Sequence, residues 1–413
     1  MSFERPQTGA FTLAFYRRVL EQVIEGKVFT LTVSTGDDER VFFFTRGAIL
    51  FLAVGTTGGE VLARKILARG LLEKARVDEL VKRANSGTPL LQDILREDTI
   101  LDPKAVAALV EETIEDHLLE VALWDGALAL YDLVPGNPPP RLYDPKVPAV
   151  RLSVGSKPLL ERVLGKVQGE VPQVMTSLGG SQRHRIELAP GAPASEAIAK
   201  ELAAGSRPIS QVVQGAQLAG VPPWKTASEL SHLLADKEAR LERVSAPSKK
   251  DELAQAVRIE DAFEEFVNAL LARAHMAAIY ERADEKEKAA EQYRGIADEH
   301  LKRGAVNDGL AALRDVLRLV PTDLGARELI VKVLRGANRL PEAAEEAVGL
   351  ARSLLDQNLP GRARQAFELA IRLVPGSTNV LWMLAKLLEL LGEKEEAAKR
   401  YEQLAEAAHA AND

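Results

Sequence analysis

The last third of this chain matches itself when shifted by 54 residues, and no other feature constrains the fold as much. KEKAAEQYRGIA (286–297) falls on LPEAAEEAVGLA (340–351), and RLVP (318–321) falls on RLVP (372–375). A second shift brings PEAAEEAVGLA (341–351) over EEAAKRYEQLA (395–405). One repeat of this size cannot bury its own apolar face, so the copies must stack into a solenoid in which each helix serves both neighbours. The joins run Gly/Asn-type, Gly/Asn-type, Pro-type and then begin again, which divides each period into three helices of about 18 residues. The periodicity predicts eight helices from about Ile259 to the C-terminus, curved so that one surface is concave.

Within that period, Ala363, Phe367, Ala370 and Pro375 form a small, bulky, small, proline series. Gly392, Ala397 and Tyr401 continue it, and Gly309, Leu313, Val316 and Pro321 follow the same spacing with weaker residue types. The series resembles tetratricopeptide repeats, although the period is 54 rather than the 34 of that family. The resemblance implies a concave surface that binds peptides or other proteins. The register puts Leu381, Leu384, Ala385 and Leu388 on the core seam and Asn379, Trp382 and Lys386 beside it, with Arg352 on the same face. These four are the candidate partner-binding residues; the competing reading packs Trp382 on the preceding helix. Ala344, Ala366 and Ala398 are expected at close helix crossings.

Composition limits what else the chain can do. It has 413 residues and no cysteine, so disulfides, thiolate nucleophiles and Cys-containing zinc or iron–sulfur sites are excluded. Aromatic residues make up only 5% of the chain, so its cores must be built from Ala, Leu, Val and Ile. No apolar run reaches membrane-spanning length, and the start MSFERPQTGAFTLAFYRR lacks the order of a secretory signal, so a cytoplasmic location is expected. Residues 251–413 hold 22 basic and 29 acidic side chains while residues 1–250 hold 31 of each, which disfavours phosphate-backbone binding by the repeats.

Upstream, residues 1–134 read as an α/β module. A helix over 11–24 is followed by strands at 28–33, 40–44 and 48–53 that alternate and turn as a small antiparallel sheet. Helices fill 60–123, with Asp102-Pro103 as cap and first helical position, and WDGALALYDL (124–133) brings a strand back. Six prolines between 135 and 148 mark 135–149 as a stiff linker. Residues 150–245 contain a helix near 156–167, a weak extended segment at 185–188, and three short helices at 194–204, 208–218 and 223–235. A strand in ARLERV closes this winged-helix outline. The helical repeats are assigned to 253–413.

Gly9-Ala10-Phe11, the Phe44-Thr45-Arg46-Gly47-Ala48-Ile49 turn, Gly59-Glu60, Gly87-Thr88-Pro89-Leu90-Leu91 with Ile94-Leu95, and Trp124-Asp125-Gly126 fall in the order and spacing of a PATAN domain. The resemblance departs at Glu25-Gly26-Lys27, where that family has a Thr-Gly-type pair. It implies a non-catalytic bacterial signalling module, in some cases tied to type IV pilus motility.

No constellation supports an enzyme, a cofactor or a metal. Gly55 to Gly59 lacks both G-x-G-x-x-G and a P-loop lysine and reads as a structural turn. The histidines at 117, 184, 232, 275, 300 and 409 never fall at i, i+3 or i, i+4. Glu111, Glu112, Glu115 and Asp116 read as the solvated face of a helix. In the winged-helix outline the recognition helix 223–235 carries only Lys225 as a base-reading side chain. Phe42, Phe43 and Phe44 form a continuous apolar run, so the sheet is expected to be covered on both faces and to serve as a docking surface. Its second cover is a partner, a second copy or the later helices, and a homodimer follows from the second of these. The chain is thus expected to be mostly α, with an N-terminal α/β module, a winged-helix-like middle and a C-terminal tetratricopeptide-like solenoid. Its expected role is a non-enzymatic adaptor in bacterial signalling or motility control, with a winged-helix transcription regulator as the alternative.

Overall fold

The computed structural model describes residues 6–410, apart from 37, 47, 56–60, 86–90, 98–99, 125–128, 137–149, 156, 180–183, 244–247, 262 and 264–267. Most of the glycine cluster at 55–59, the Gly87-Thr88-Pro89 motif, Asp125-Gly126 and most of the proline-rich linker lie outside the described residues. The chain is mostly helical and forms two compact units, Met1–His275 and Met276–Asp413.

The first unit opens with β1 (Gln7–Ala10) and α1 (Leu13–Ile24), whose N-cap Thr12 accepts from the Phe15 backbone N–H at 3.2 Å. β2 (Phe29–Ser34), β3 (Asp38–Phe44) and β4 (Ala48–Gly55) follow as a meander. Next come α2 (Val61–Ala68), α3 (Lys74–Asn85), α4 (Leu91–Glu97) and α5 (Pro103–Ala122), the last capped by Asp102 with Pro103 in the first turn. β5 (Leu130–Pro135) returns between β1 and β2, and β6 (Val150–Gly155) pairs with β4. The sheet therefore has six strands in the order β1-β5-β2-β3-β4-β6. Because β6 completes it, residues 150–155 belong to the sheet of the N-terminal module rather than opening a separate body.

Strand parity decides which phenylalanines are inside. In the β2–β3 register Phe29 faces Phe44, Leu31 faces Phe42 and Val33 faces Arg40. All six side chains point the same way, against α1 and α5, because strand side chains alternate between faces. Phe42 and Phe44 are 0% exposed, in the core under the helices. This corrects the expectation that the Phe42–Phe43–Phe44 run is a docking surface: two of its three rings are interior, and Phe43, on the opposite face, is half-buried.

The remainder of the first unit adds α6 (Lys157–Gln168), α7 (Glu170–Ser177), β7 (Arg185–Leu188) and α8 (Glu196–Leu202). β8 (Arg207–Pro208), α9 (Ile209–Leu218), α10 (Pro223–Ala235) and β9 (Ala239–Glu242) complete it. Three antiparallel strands, in the order β8-β7-β9, close this segment. It shares one hydrophobic core with the N-terminal module: Val163 of α6, Val171 of α7 and Leu230 of α10 lie in the same cluster as Leu20 and Ile114.

The opposite face of the large sheet carries Thr30, Thr32, Ser34, Glu39, Val41 and Asp132, all buried. α11 (Lys249–Asp261) and the beginning of α12 (Ala269–Arg282) cover it. Asn268 donates its backbone N–H to Glu39 (3.1 Å) and its side-chain amide to Asp132 (2.7 Å), and His275 Nε2 meets the Ser34 carbonyl at 2.9 Å. Ile259 packs at Gly36, where a Cβ would lie 3.0 Å from its Cδ1. These helices are one of the covers anticipated for this face.

The second unit is a run of helices: the end of α12, then α13 (Lys286–Lys302), α14 (Val306–Leu319), α15 (Leu324–Gly336), α16 (Leu340–Asp356), α17 (Pro360–Leu373), α18 (Thr378–Leu390) and α19 (Lys394–Ala410). α16, α17, α18 and α19 begin and end 54 residues after α13, α14, α15 and α16. The joins repeat as well. Asp284, Asn338 and Gly392 have φ of 57, 57 and 81°, and Gly304 and Asn358 have 72 and 57°, the left-handed conformation that ends a helix. The Pro321 and Pro375 joins follow C-caps of nearly identical geometry, Val320 at φ −128° and Val374 at φ −132°. The eight expected helices are α12 to α19, starting at Ala269 rather than near Ile259, which sits in α11.

Candidate functional site

In α18 the seam residues Leu381, Leu384, Ala385 and Leu388 are buried at 3% exposure or less and Leu387 is buried beside them, while Trp382 and Lys386 face outward. Trp382 is 50% exposed, and Asn379 and Lys386 are exposed beside it. Leu390, one turn beyond Lys386, is 84% exposed, which makes Trp382, Lys386 and Leu390 a stripe at i, i+4, i+8. Sequence reasoning missed Leu390, although the same spacing from Trp382 points to it. Arg352 of α16 reaches the same surface, its Nη2 lying 3.6 Å from Met383 Sδ. Of the four residues singled out from the sequence, Asn379, Trp382 and Lys386 are exposed on α18, and Arg352 touches that helix at Met383.

The charges on this face are partly committed. Lys386 Nζ donates to Glu389 at 2.9 Å, and Tyr401 Oη donates to the same carboxylate at 3.2 Å. The hydrogen bond from Lys386 is the main cause holding the Glu389 carboxyl below its ordinary range. What remains on offer is a large indole, a leucine, an amide and the guanidinium of Arg352, a chemistry suited to a protein segment rather than to a reacting small molecule.

The crossings behave as expected except at the end of the array. Ala344 and Ala366 are 6% and 5% exposed. Ala398, in the equivalent place to Ala344, is exposed. Among the described residues no helix follows α19 to cover it; its neighbour Ala397 is the buried contact.

A second cluster lies inside the first unit. Arg40, 0% exposed, forks onto Glu120 of α5 (Nε to Oε2 3.2 Å, Nη2 to Oε1 3.0 Å) and lies 5.4 Å from the Trp124 ring centroid. His117 Nδ1 hydrogen-bonds Glu120 at 2.6 Å. Burial raises the Glu120 pKa, but Arg40 and His117 outweigh it and bring the carboxyl down to about 2. Burial holds His117 below its ordinary value, so it is neutral at pH 7. This is a closed ion pair inside a core, which specifies how β3 meets α5.

The carboxylates of α5 are not the solvated face expected of them. Asp116 is 8% exposed and bonded to Lys65, which also lies 3.4 Å from Glu112. Arg162 and Lys166 of α6 each reach Glu115 at 3.1 Å. They form seams between α5 and its neighbours. On α10 the positions Trp224, Thr226, Ala227, Leu230, Ser231 and Leu233 are buried, the face by which it packs into the first unit.

No protein-family model and no curated protein matches the chain. Among solved structures it is similar to "MamA RS-1 ArsTM double mutant" (13% identity, 40% of this chain and 99% of that one, TM-score 0.20). It is also similar to MamA 41-end from Desulfovibrio magneticus RS-1 (15% identity, 41% and 100%, TM-score 0.18). These scores are too low to carry an argument about this chain. Among the described residues no helix is long and apolar enough to cross a membrane.

Proposed function

We propose that the protein is a non-enzymatic adaptor that holds a partner protein on the face shared by α16 and α18. The observation that carries this reading is the half-exposed Trp382 standing above a fully buried seam, with Leu390 one turn from Lys386. Tryptophan and arginine are the residues whose burial most often dominates the energy of a protein interface, and a half-exposed indole has much apolar area left to bury. The tetratricopeptide-like series in the neighbouring α17 and α19 supports the reading. The PATAN-like motifs of residues 1–134 favour bacterial signalling or motility control as the setting. That Lys225 is the one Arg, Lys, Asn or Gln in the sequence 223–235 counts against a DNA-reading role for the 150–245 segment.

The test is co-purification from the native cell with the full chain, with Trp382→Ala, and with Lys399→Ala on another surface. The reading expects a defined set of proteins to be lost with Trp382→Ala and retained with Lys399→Ala, at an unchanged melting temperature. Identical sets from all three would refute it.

A further inference from the structure

Between α2, α5 and the turn joining α9 to α10 lies a small cleft, open in part to solvent. It is independent of the α18 face. Gly220, at φ +86°, builds its wall: a Cβ there would fall 2.5 Å from Ala68 Cβ, so only glycine lets the turn close onto the end of α2. The turn's own N–H groups are spent capping α9, Gly220 on the Gln217 carbonyl (3.0 Å) and Val221 on the Ala216 carbonyl (2.9 Å).

Two side chains lining the cleft are left with donors and no acceptor. Gln217 is 6% exposed, and its Nε2 makes no hydrogen bond among the described residues. Arg64 Nη1 is likewise buried without a partner. Buried amide and guanidinium N–H groups are unfavourable unless something accepts from them. Lys65 and Asp116, also on the wall, already satisfy one another. The charge that remains is the guanidinium of Arg64. The cleft is bounded on another side by Val221, Pro222 and Pro223, where the 13-residue α10 begins and its dipole is positive.

We propose that this cleft binds one small oxyanion, a phosphate or carboxylate group, that accepts from the Gln217 amide and the Arg64 guanidinium at the N-terminal end of α10. A cation finds unpaired donors on its wall, and an apolar ligand leaves them unpaired. An oxyanion supplies acceptors to both and a negative charge to the helix terminus.

The experiment is calorimetric titration of the full chain with inorganic phosphate and, separately, with acetate, at constant ionic strength held by chloride. Saturable binding of one anion per chain is expected. The stronger of the two arms tells whether the group recognised is phosphoryl or carboxylate. Gln217→Leu and Arg64→Met should each weaken it by roughly tenfold or more, the loss of a buried charge-assisted contact. If Gln217→Leu fails to fold, Gln217→Glu, which keeps the volume and puts an acceptor where the donor was, should abolish binding. The amide resonance of Gln217 in glutamine-labelled protein should also shift on adding the anion. No saturable binding of either anion, or binding that survives both the Gln217 and the Arg64 substitutions, overturns the proposal.

Discussion

The two units are stabilised in different ways. In the second, every helix meets neighbours close in sequence, and the same geometry recurs at 54-residue intervals down to the φ of its joins. In the first, the decisive contacts are long-range and occur once: Arg40 with Glu120, Tyr16 donating to the Leu118 carbonyl at 2.9 Å, and Asn268 with Asp132. A periodic unit tolerates local error because each interface is one of several, whereas a unit whose buried ion pairs each occur once does not. The difference also separates roles, since the sheet of the first unit is covered on both faces while α18 of the second leaves a tryptophan and a leucine in solvent.

The largest expected effect breaks the first unit alone. Glu120→Leu removes the carboxylate onto which the buried Arg40 guanidinium forks and should cost about 3–5 kcal/mol in chemical denaturation. Adding Arg40→Met should recover most of it, because two apolar groups of similar volume replace a pair rather than half of one. A single substitution no worse than the double would show that the pair does not hold β3 to α5.

Acid should weaken the same unit. His117 is held below its ordinary 6.5, so the unfolded chain takes up the proton first and stability declines as pH falls below about 6.5. Glu120, lowered from 4.5 to about 2, adds a further loss below about pH 4.5. Asp116 is raised by burial and acts in the opposite sense, its contribution being present below 3.8 and lost as pH rises. Denaturation at pH 7 and pH 5.5 checks the sign, and His117→Gln should flatten the change between them.

Within the repeats the effects are smaller and depend on position. Leucine at Ala344 or Ala366 should overpack a crossing by about 1–3 kcal/mol, while leucine at Ala398 should change stability by less than about 0.5 kcal/mol. Equal costs at all three would mean that α19 is covered. The smallest effect is expected at Trp382, where alanine should leave the melting temperature nearly unchanged; a loss of several kcal/mol would assign the indole to the core.

What could be read from the sequence follows the same division. Repeat length, helix order and joins were all legible, because one pattern stated twice is its own control. The strands at 29–34, 38–44 and 48–55 were legible from alternation, and parity alone puts Arg40 with Phe42 and Phe44, a signal passed over because arginine is expected outside. The partners of the α5 carboxylates were not legible, since Lys65 and Arg162 lie 51 and 47 residues from Asp116 and Glu115. β6 was hidden behind the prolines, and β1, four residues long, carries almost no periodicity. On the face of α18 the seam was readable, and with it the outward position of Trp382. Its exposure was not, because that depends on what neighbouring helices cover.

The most direct test of the division of roles is hydrogen exchange of the full chain with and without its co-purified partner. Slowed exchange confined to 340–356 and 378–390, with 29–55 unchanged, is the predicted result. Protection appearing in the strands of the first unit and absent from α16 and α18 would contradict it.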